Sequence, residues 1–331
     1  MRVKFYEYYR SLLTGQELIV YDTLYTAFEG LADQVKVPVL DIHRLSDIFW
    51  KVTYDHPAIY YIDSFSYTIF PGEILIYIKY LYTKNEILQI DQRIDAGMES
   101  VKKAFFSKPM MSTFQKEVII HDCIVMMTSY DYETLEKQKH NLPLPAYQNS
   151  ICGPLLHRKD RCGGIAKTFK FFCDYYQIPC IYVLGNAPTS HAWNIVKIDK
   201  QYYHMDATWD IKEKGDISFR YDYFNMSDAL LEHEKTHFWN KADYPKCPSN
   251  EMNYYNVKKL FVKNLSDIDF LIGSKFKGQK YICFKFASMD LPDNNVIIDY
   301  VKAAIYKHFG SCSYTWSISR NKHNVYVQIK D

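Results

Sequence analysis

The sequence predicts an α+β fold, in which helices and mainly antiparallel strands occupy separate stretches of the chain. Three observations favour this class. Helical patterns fill residues 1 to about 58, a helix followed by strands occupies 150–210, and both kinds of element recur from about 250 onward. With 331 residues, the chain is longer than one hydrophobic core usually serves. We therefore expect an N-terminal, mostly helical region with some strands over 1–110, a central core over 111–245, and a small α+β domain over 250–331.

Two strands and then two helices are predicted to follow the first helices of the chain, and the second of these two helices opens the central core. The segments "YYIDSFSYTIF" and "GEILIYIKYLY" are rich in β-branched and aromatic residues, and the turn signal Pro71-Gly72 lies between them. The second helix opens at Ser112 with Gln115 three residues later, which is the signature of a capping box. Apolar positions surround most of this helix, so we expect it to be buried.

The stretch from 130 to 150 is polar and contains Pro143 and Pro145, which predicts a long surface loop or lid. From about 250 the order is strand, helix, strand, helix and two final strands, with "KKLFVKN", "KYICFKF", "NNVIIDYVKAAIYKHF", "SYTWSIS" and "NVYVQIK" as the clearest segments. The stretch "YPKCPSNE" before them contains two prolines and is the predicted linker.

Composition argues against several classes of protein. Hydrophobic residues make up 48% and charged residues 24% of the chain, with 30 Tyr, 20 Phe and a formal charge of +2. These proportions are typical of a folded protein, and the basic stripe of a nucleic-acid binder is absent, so we expect no nucleic-acid partner. We also expect no membrane span, because Lys79 interrupts the most apolar segment.

Cysteine usage and the amino terminus bear on location. The N-terminal "MRVKFYEYYRSLL" lacks the apolar stretch of a signal peptide, and the eight cysteines form no C-x-x-C pair. We expect reduced thiols in a cytoplasmic protein, or an exported protein if a signal peptide preceded this sequence. The sequence gives no indication of oligomeric state.

Cys162 is the first candidate catalytic residue. Apolar residues at 165, 166, 169, 172, 173 and 176 follow the spacing of an amphipathic helix that ends before Pro179. Extending this stripe backwards reaches Cys162, at the helix N-terminus. The unpaired N–H groups and the helix dipole favour a thiolate there, and the N–H of Cys162 is placed to donate to an oxyanion. Gly163 and Gly164 permit close approach of other backbone or of substrate.

His191 and Asp206 are the predicted partners of this thiol. The segments "HAWNIVKI" and "QYYHMD" flank Asp199-Lys200, a plausible two-residue hairpin turn. That register pairs Trp193 with Asp206 and puts His191 on the same face, one diagonal step away. Taken singly, a cysteine on a helix or a histidine in a strand is usually a packing residue; together the three residues predict a Cys-His-Asp triad.

Longer matches add a resemblance to a known family. Four segments resemble the transglutaminase-like superfamily, in particular its bacterial branch with a papain-related core. They are "GPLLHRKDRCGGIAKTFKFFCDYYQIPCIYVLG", "HAWNIVKIDKQYYHMDATWD", "YDYFNMSD" and, upstream, "IIHDCIVMMTSYDY". The resemblance is clear over about residues 112–240. It implies a papain-like core of a helix packed on an antiparallel sheet, with Cys162 as nucleophile, His191 as general base and acid, and Asp206 orienting the imidazole.

The sequence departs from the family pattern beside the nucleophile. Family members often carry Gly-Val before the cysteine and Glu or Gln after it, whereas this chain has Asp160-Arg161 and Gly163. Cys152 stands where many relatives have tyrosine. Leu156 occupies the position where papain-like enzymes place a glutamine that donates to the oxyanion. The second oxyanion donor therefore stays open, between Trp193 and a polar residue of the 147–150 loop.

A rival motif occurs at 233–237, where "HEKTH" satisfies H-E-x-x-H, the pattern of zinc peptidases. In that motif His233 and His237 would bind the metal and Glu234 would activate water. Charged neighbours and the lack of an obvious third ligand, except Glu251, argue instead for a solvated helix. We expect no metal site here.

The resulting hypothesis is a cysteine-dependent acyl-transfer enzyme. Its substrate would be a protein or peptide, attacked at a peptide or carboxamide carbonyl to form a thioester. We expect hydrolysis rather than cross-linking, because water needs no dedicated amine site. No metal or organic cofactor is required, since the thiol and imidazole supply both nucleophile and proton transfer. The alternatives are a non-catalytic binding or scaffold protein with the same fold and, third, a zinc peptidase.

Overall fold

The fold is α+β, with helices and mostly antiparallel sheets, as predicted. A computed structural model describes residues 6–106, 110–211, 221–287, 292–319 and 324–330. The chain divides into two compact units, Met1–Lys200 and Gln201–Asp331. The division of the chain into three regions stays a prediction.

The first unit contains these helices and strands in chain order: α1 Tyr8–Ser11, α2 Gly15–Glu29, β1 Gln34–Pro38, α3 Ile42–Asp55, β2 Ile62–Phe70, β3 Glu73–Tyr80, α4 Lys84–Phe105, α5 Thr113–Met127, β4 Ser129–Tyr130, α6 Tyr132–Lys139, a π-helical turn Gly153–His157, β5 Lys159–Asp160, α7 Cys162–Tyr175, β6 Cys180–Asn186 and β7 Ser190–Ile198.

The N-terminal sheet confirms two predicted strands and adds a third. Strands β2 and β3 form an antiparallel hairpin, and Gly72 at its turn has a φ of +86°, a conformation that favours glycine. Strand β1 pairs with the other side of β3, although the sequence predicted helix there. The prediction was wrong because β1 has only five residues, and a short segment between two helices carries little periodicity of its own.

The helix α5 begins as predicted, whereas part of the predicted loop after it is helical. Ser112 and Gln115 form the expected capping box. Residues 132–139 form α6, because Asp131 accepts a hydrogen bond from the N–H of Thr134 at 3.1 Å and so caps this helix. The prediction of a loop over 130–150 was therefore wrong for α6, whose polar composition obscured its helical character.

Helix α7 packs against strand β7, and a buried amide ties the two together. The side chain of Asn194 donates to the carbonyl oxygen of Ala166 at 3.0 Å and to that of Ile181 at 3.3 Å. Ala166 also belongs to a buried cluster with Tyr182 and Ala192. Because Ala166 lies one turn after Cys162, and Ala192 directly follows His191, these contacts hold the N-terminus of α7 and the start of β7 at the same end of the pair.

The second unit contains these elements in chain order: β8 Gln201–Met205, α8 Ala207–Asp210, α9 Asp228–Glu234, a 3-10 turn Lys241–Asp243, α10 Tyr254–Lys258, β9 Phe261–Val262, α11 Asp267–Leu271, a π-helical turn Ile272–Phe276, β10 Tyr281–Phe286, α12 Asn294–Phe309, β11 Ser313–Ser319 and β12 Asn324–Lys330.

Four strands of the second unit form one sheet in the order β11-β12-β10-β9, antiparallel except for the pair β9–β10. The predicted order of strands and helices from 250 onward is therefore present, but the short helix α10, which the sequence did not predict, precedes it. In the predicted linker, Cys247 is buried and its N–H donates to Asp228 at 2.9 Å, so this segment packs against α9. In the described part of the chain, no helix has both the length and the apolar surface to cross a bilayer.

Candidate active site

Cys162 is the first residue of α7, and its side chain is partly exposed. The preceding residue, Arg161, is extended and supplies no side-chain cap to the helix. The first turn of an α-helix carries N–H groups without acceptors inside the helix, so this end attracts negative charge. The structure thus confirms the helix start that the sequence predicted, with the thiol at its positive end.

The glycines after Cys162 are required by close neighbours. A Cβ atom on Gly163 would lie 2.7 Å from Oδ1 of Asn149 and 3.3 Å from the hydroxyl oxygen of Tyr182. A Cβ atom on Gly164 would collide with the carboxylate of Asp160 and lie 2.9 Å from the carbonyl oxygen of Ser150. The loop before the helix therefore packs directly onto its first turn, and Asn149, from the polar 147–150 stretch, brings an exposed amide there.

Tyr130 is a neighbour of Cys162 that the sequence patterns did not indicate. Burial raises the pKa of Tyr130 to about 12, and the negative charge of Cys162 contributes to the same shift. The position follows from strand β4, in which Tyr130 pairs with Asp160 of β5, two residues before Cys162. Tyr130 belongs to the segment "IIHDCIVMMTSYDY". The family resemblance includes this segment but implies no role for Tyr130.

His191 is the second residue of β7 and is buried. It pairs with Gly185 on the neighbouring strand β6. Its ring stacks on Trp193, with ring centroids 5.9 Å apart and an angle of 21° between the planes. Trp193 is itself buried and therefore supports the imidazole. Its role as an oxyanion donor stays a prediction.

Asp206 lies in the second unit, where it caps the short helix α8. Its Oδ1 accepts hydrogen bonds from the N–H groups of Thr208 at 2.8 Å and Trp209 at 3.3 Å. Its Oδ2 lies 2.8 Å from Nε2 of His237, and both side chains are buried. The rings of Trp209 and Tyr223 flank this histidine at centroid distances of 5.0 and 5.3 Å. His237 thus holds the predicted triad carboxylate of Asp206. In the sequence, His237 was indicated only as part of the rival H-E-x-x-H motif.

The H-E-x-x-H motif does not adopt the geometry that zinc peptidases use. Helix α9 ends at Glu234, and Lys235 has a left-handed φ of +54°. His233 is consequently exposed on the helix, whereas His237 lies beyond it and is buried against Asp206. The two histidines do not project from one continuous helix, as the motif requires.

Another set of metal-ligand residue types occurs in the second unit. One ligand atom from each of His204, Asp228 and Cys247 lies within 4.8 Å of the others. They already bond to one another, since Nε2 of His204 lies 2.9 Å from Oδ1 of Asp228, and Oδ2 of the same carboxylate accepts the N–H of Cys247. Burial lowers the pKa of His204 and raises that of the Cys247 thiol, which favours the neutral form of both. These contacts describe a network that ties β8, α9 and the following loop together.

Comparison with solved structures finds partial similarities, including the following two. One is to a TGase, or transglutaminase, with 18% identity and a TM-score of 0.33 over 57% of this chain and 54% of that chain. The other is to a candidate cysteine protease from Cytophaga hutchinsonii, with 15% identity and a TM-score of 0.27 over 44% of this chain and 61% of that chain. Both have a transglutaminase-like fold, and each is matched over less than two thirds of its own length.

No protein-family model and no curated protein matches the sequence. At these TM-scores the two similarities do not bear on which residues of this chain act in catalysis. The triad of Cys162, His191 and Asp206 accordingly stays a prediction, supported within the first unit by the placement of Cys162 and His191 on packed elements.

Proposed function

We propose that this protein is a cysteine-dependent acyl-transfer enzyme that attacks a peptide or carboxamide carbonyl. The observation that carries the proposal is the position of Cys162, at an N-terminus of α7 that lacks a side-chain cap, while the start of β7 with His191 lies at the same end of the packed pair. A thiolate at a helix N-terminus beside a histidine is the arrangement in which a cysteine becomes a nucleophile near neutral pH.

The reaction runs in two halves. Sγ of Cys162 attacks the carbonyl carbon, and the imidazolium of His191 gives its proton to the departing amine, which leaves a thioester on the enzyme. His191 then takes a proton from water, the resulting hydroxide attacks the thioester, and the acid product leaves as Cys162 becomes free again. Asp206 orients the imidazole in this proposal, as the family resemblance implies.

Two donors are proposed for the oxyanion that forms in each half. One is the N–H of Cys162, at the start of α7. The other is the side-chain amide of Asn149, which is exposed and lies against Gly163. Within the 147–150 loop, Asn149 is preferred to Ser150 as the donor. Ser150 is buried, and its hydroxyl already donates to the carbonyl of Tyr147.

The thioester gives a direct test of the proposal. Full-length protein is mixed with a pool of peptide amides, quenched in acid, and measured by intact and peptide mass spectrometry. We expect an acyl adduct on Cys162 that Cys162→Ala lacks and that hydroxylamine removes. Incorporation of oxygen from labelled water into the product would identify hydrolysis, and incorporation of an added primary amine would identify transamidation.

The result that would overturn the proposal is equally specific. A purified, folded protein that forms no adduct on Cys162 with any peptide amide, and that binds peptides equally well as Cys162→Ala, would be a binding protein. In that case the fold would serve recognition and not catalysis.

A further inference from the structure

We propose that Asp160 is a positioning residue that joins the 147–150 loop to the start of α7 and that its change between acid and carboxylate controls how readily Cys162 attacks. This inference rests on the proposed role of Cys162. Its test, however, includes a measurement on Asp160 alone, so that the two can fail separately.

The hydrogen bonds to one carboxylate oxygen of Asp160 connect the two parts of the proposed oxyanion site. Asp160 is fully buried. Its Oδ1 accepts the N–H of Asn149 at 3.2 Å and the N–H of Arg161 at 2.7 Å. The first bond fixes the residue whose amide is proposed to hold the oxyanion, and the second fixes the residue that precedes the nucleophile. One side chain therefore sets the separation between both parts of the oxyanion site.

The other carboxylate oxygen of Asp160 lies in surroundings that disfavour a negative charge. Oδ2 of Asp160 has no hydrogen-bond partner among the described residues. It lies where a Cβ atom on either Gly153 or Gly164 would collide with it. An oxygen packed this closely against the backbone of two glycines has little access to water, so its surroundings disfavour a negative charge. A proton on Oδ2 would remove this unfavourable charge.

These surroundings affect the pH at which Asp160 ionises. Burial raises the pKa of Asp160 to about 7, although nearby backbone N–H groups favour the charged form, namely those of Arg161, Asn149 and Ser150. Titratable groups whose charges interact with Asp160 include Tyr130 on β4, Cys152 in the preceding turn and Lys167 on α7. The guanidinium of Arg161 also favours the charged form, but burial outweighs it.

The ionisation of Asp160 affects the nucleophile because Asp160 lies close to Cys162 in the chain. Only Arg161 separates Asp160 from Cys162, so a carboxylate at 160 lies within a few ångströms of the helix end that must stabilise the thiolate. Two like charges near one site titrate as a coupled pair. The neutral acid leaves the helix N-terminus to the thiolate and the oxyanion, whereas the carboxylate opposes both.

The test compares wild type with Asp160→Asn in the full-length protein. Asparagine keeps an acceptor at Oδ1 and replaces the protonated oxygen by an NH₂ donor, so it mimics the acid form at every pH. Alkylation of Cys162 by iodoacetamide is followed by peptide mass spectrometry from about pH 5.5 to 9. We expect the wild-type rate to rise over a broader pH range than a single ionisation. The variant should follow one sigmoid whose midpoint lies about one pH unit below the main rise of the wild-type curve.

Glu133→Gln is the matched control, because Glu133 is exposed and the substitution makes the same change of charge. It should leave the curve of Cys162 unchanged. Superimposed curves for wild type and Asp160→Asn would overturn the inference.

A second measurement needs no variant and guards against misfolding of Asp160→Asn. The amide N–H groups of Asn149 and Arg161 donate to Asp160, so their NMR shifts report its titration. We expect both to titrate together with a midpoint near the pKa of about 7. The lack of a common inflection between about pH 6 and 8 would contradict the inference. If Cys162 shows no special reactivity while these amides still titrate, the proposed function fails and the titration of Asp160 stands.

Discussion

At the scale of single residues, the bond between Asp206 and His237 shows how the proposed triad carboxylate is held. Both oxygens of Asp206 are engaged, one by two N–H groups of α8 and the other by His237. A buried acceptor that loses its donor bears the full cost of desolvation, which is about 1–3 kcal/mol. His237 is therefore expected to matter for stability and for the acyl-transfer step.

We predict that His237→Ala lowers the free energy of unfolding by about 1–3 kcal/mol and slows acylation of Cys162, and that His237→Gln recovers part of both. Urea unfolding and thioester formation measure the two effects. His233→Ala is the control, because His233 is exposed on α9 and should change neither. Equal losses for both histidine variants, together with stoichiometric zinc in the purified protein, would instead support the zinc motif.

Sequence reasoning reached some of these residues and missed others for a physical reason. Cys162 was found because helix periodicity and the paired glycines are local signals. His237 lies 31 positions from Asp206, and Asn149 lies 11 positions from Asp160. Neither spacing follows a helix or a hairpin, so only the folded chain brings the partners together.

At the scale of elements, α7 is held by a buried ion pair on the face away from solvent. Nζ of Lys170 lies 3.0 Å from Oδ2 of Asp174 and also donates to the carbonyl oxygens of Tyr6 and Cys180, each at 3.1 Å. Lys170 thus links α7 to β6 and to the N-terminal segment. Removing one partner of such a pair leaves a buried charge without compensation.

We predict that Lys170→Met lowers the free energy of unfolding by about 3–5 kcal/mol, whereas Lys170→Met combined with Asp174→Leu recovers much of the loss. Chemical denaturation of the three proteins gives both values. A loss under about 1 kcal/mol for the single variant would mean that Asp174 is hydrated or finds another donor once Lys170 is gone. The exposed pair Lys137 and Glu133 on α6 is the control, where Lys137→Met should cost well under about 1 kcal/mol.

Elements were predicted best where the chain carries a strong local signal. The capping box of α5 and the turn between β2 and β3 fall where the sequence placed them. Strand β1 and helix α6 were missed, because the first is short and the second has a polar composition that also suits a loop. In both cases tertiary contacts and a single cap decide the structure, and these leave little trace in periodicity.

At the scale of the whole molecule, buried ionisable groups make stability depend on pH. Burial raises the pKa of Asp55, Asp160 and Asp174 to about 6, 7 and 6, above the usual value of 3.8. A raised carboxyl pKa in the folded state means that the unfolded chain releases these protons first. Their contribution to stability is therefore present below about pH 4 and is lost as pH rises through 6 to 7.

The buried imidazole of His56 acts in the opposite direction. Burial lowers its pKa to about 3 from 6.5, so its contribution is present above pH 6.5 and is lost as pH falls towards 3. Together these groups predict a melting temperature that is higher near pH 6 than near pH 8. Asp160→Asn should reduce this difference, as thermal unfolding at both pH values will show. A wild type that is more stable at pH 8 than at pH 6 would contradict the burial of these carboxyl groups.

The order of strands and helices in the second unit followed from the sequence, but its internal packing did not. Asp222 accepts hydrogen bonds from the hydroxyls of Tyr326 at 2.7 Å and Tyr255 at 3.2 Å. These residues come from the predicted core and from the predicted C-terminal domain, and they are 104 and 33 positions from Asp222. The sequence placed a linker between the two regions, because contacts at such separations cannot be read from local composition.

The measurement that tests the central claim most directly is the alkylation rate of every cysteine as a function of pH, in wild type and in His191→Ala. Burial raises the pKa of Cys123, Cys152 and Cys283 to about 12, so these thiols are expected to react slowly at neutral pH. We predict that Cys162 reacts far faster than these three below pH 7 and that His191→Ala removes this advantage. A Cys162 that reacts no faster than Cys283, or that keeps its rate without His191, would contradict the proposed thiolate–imidazole pair.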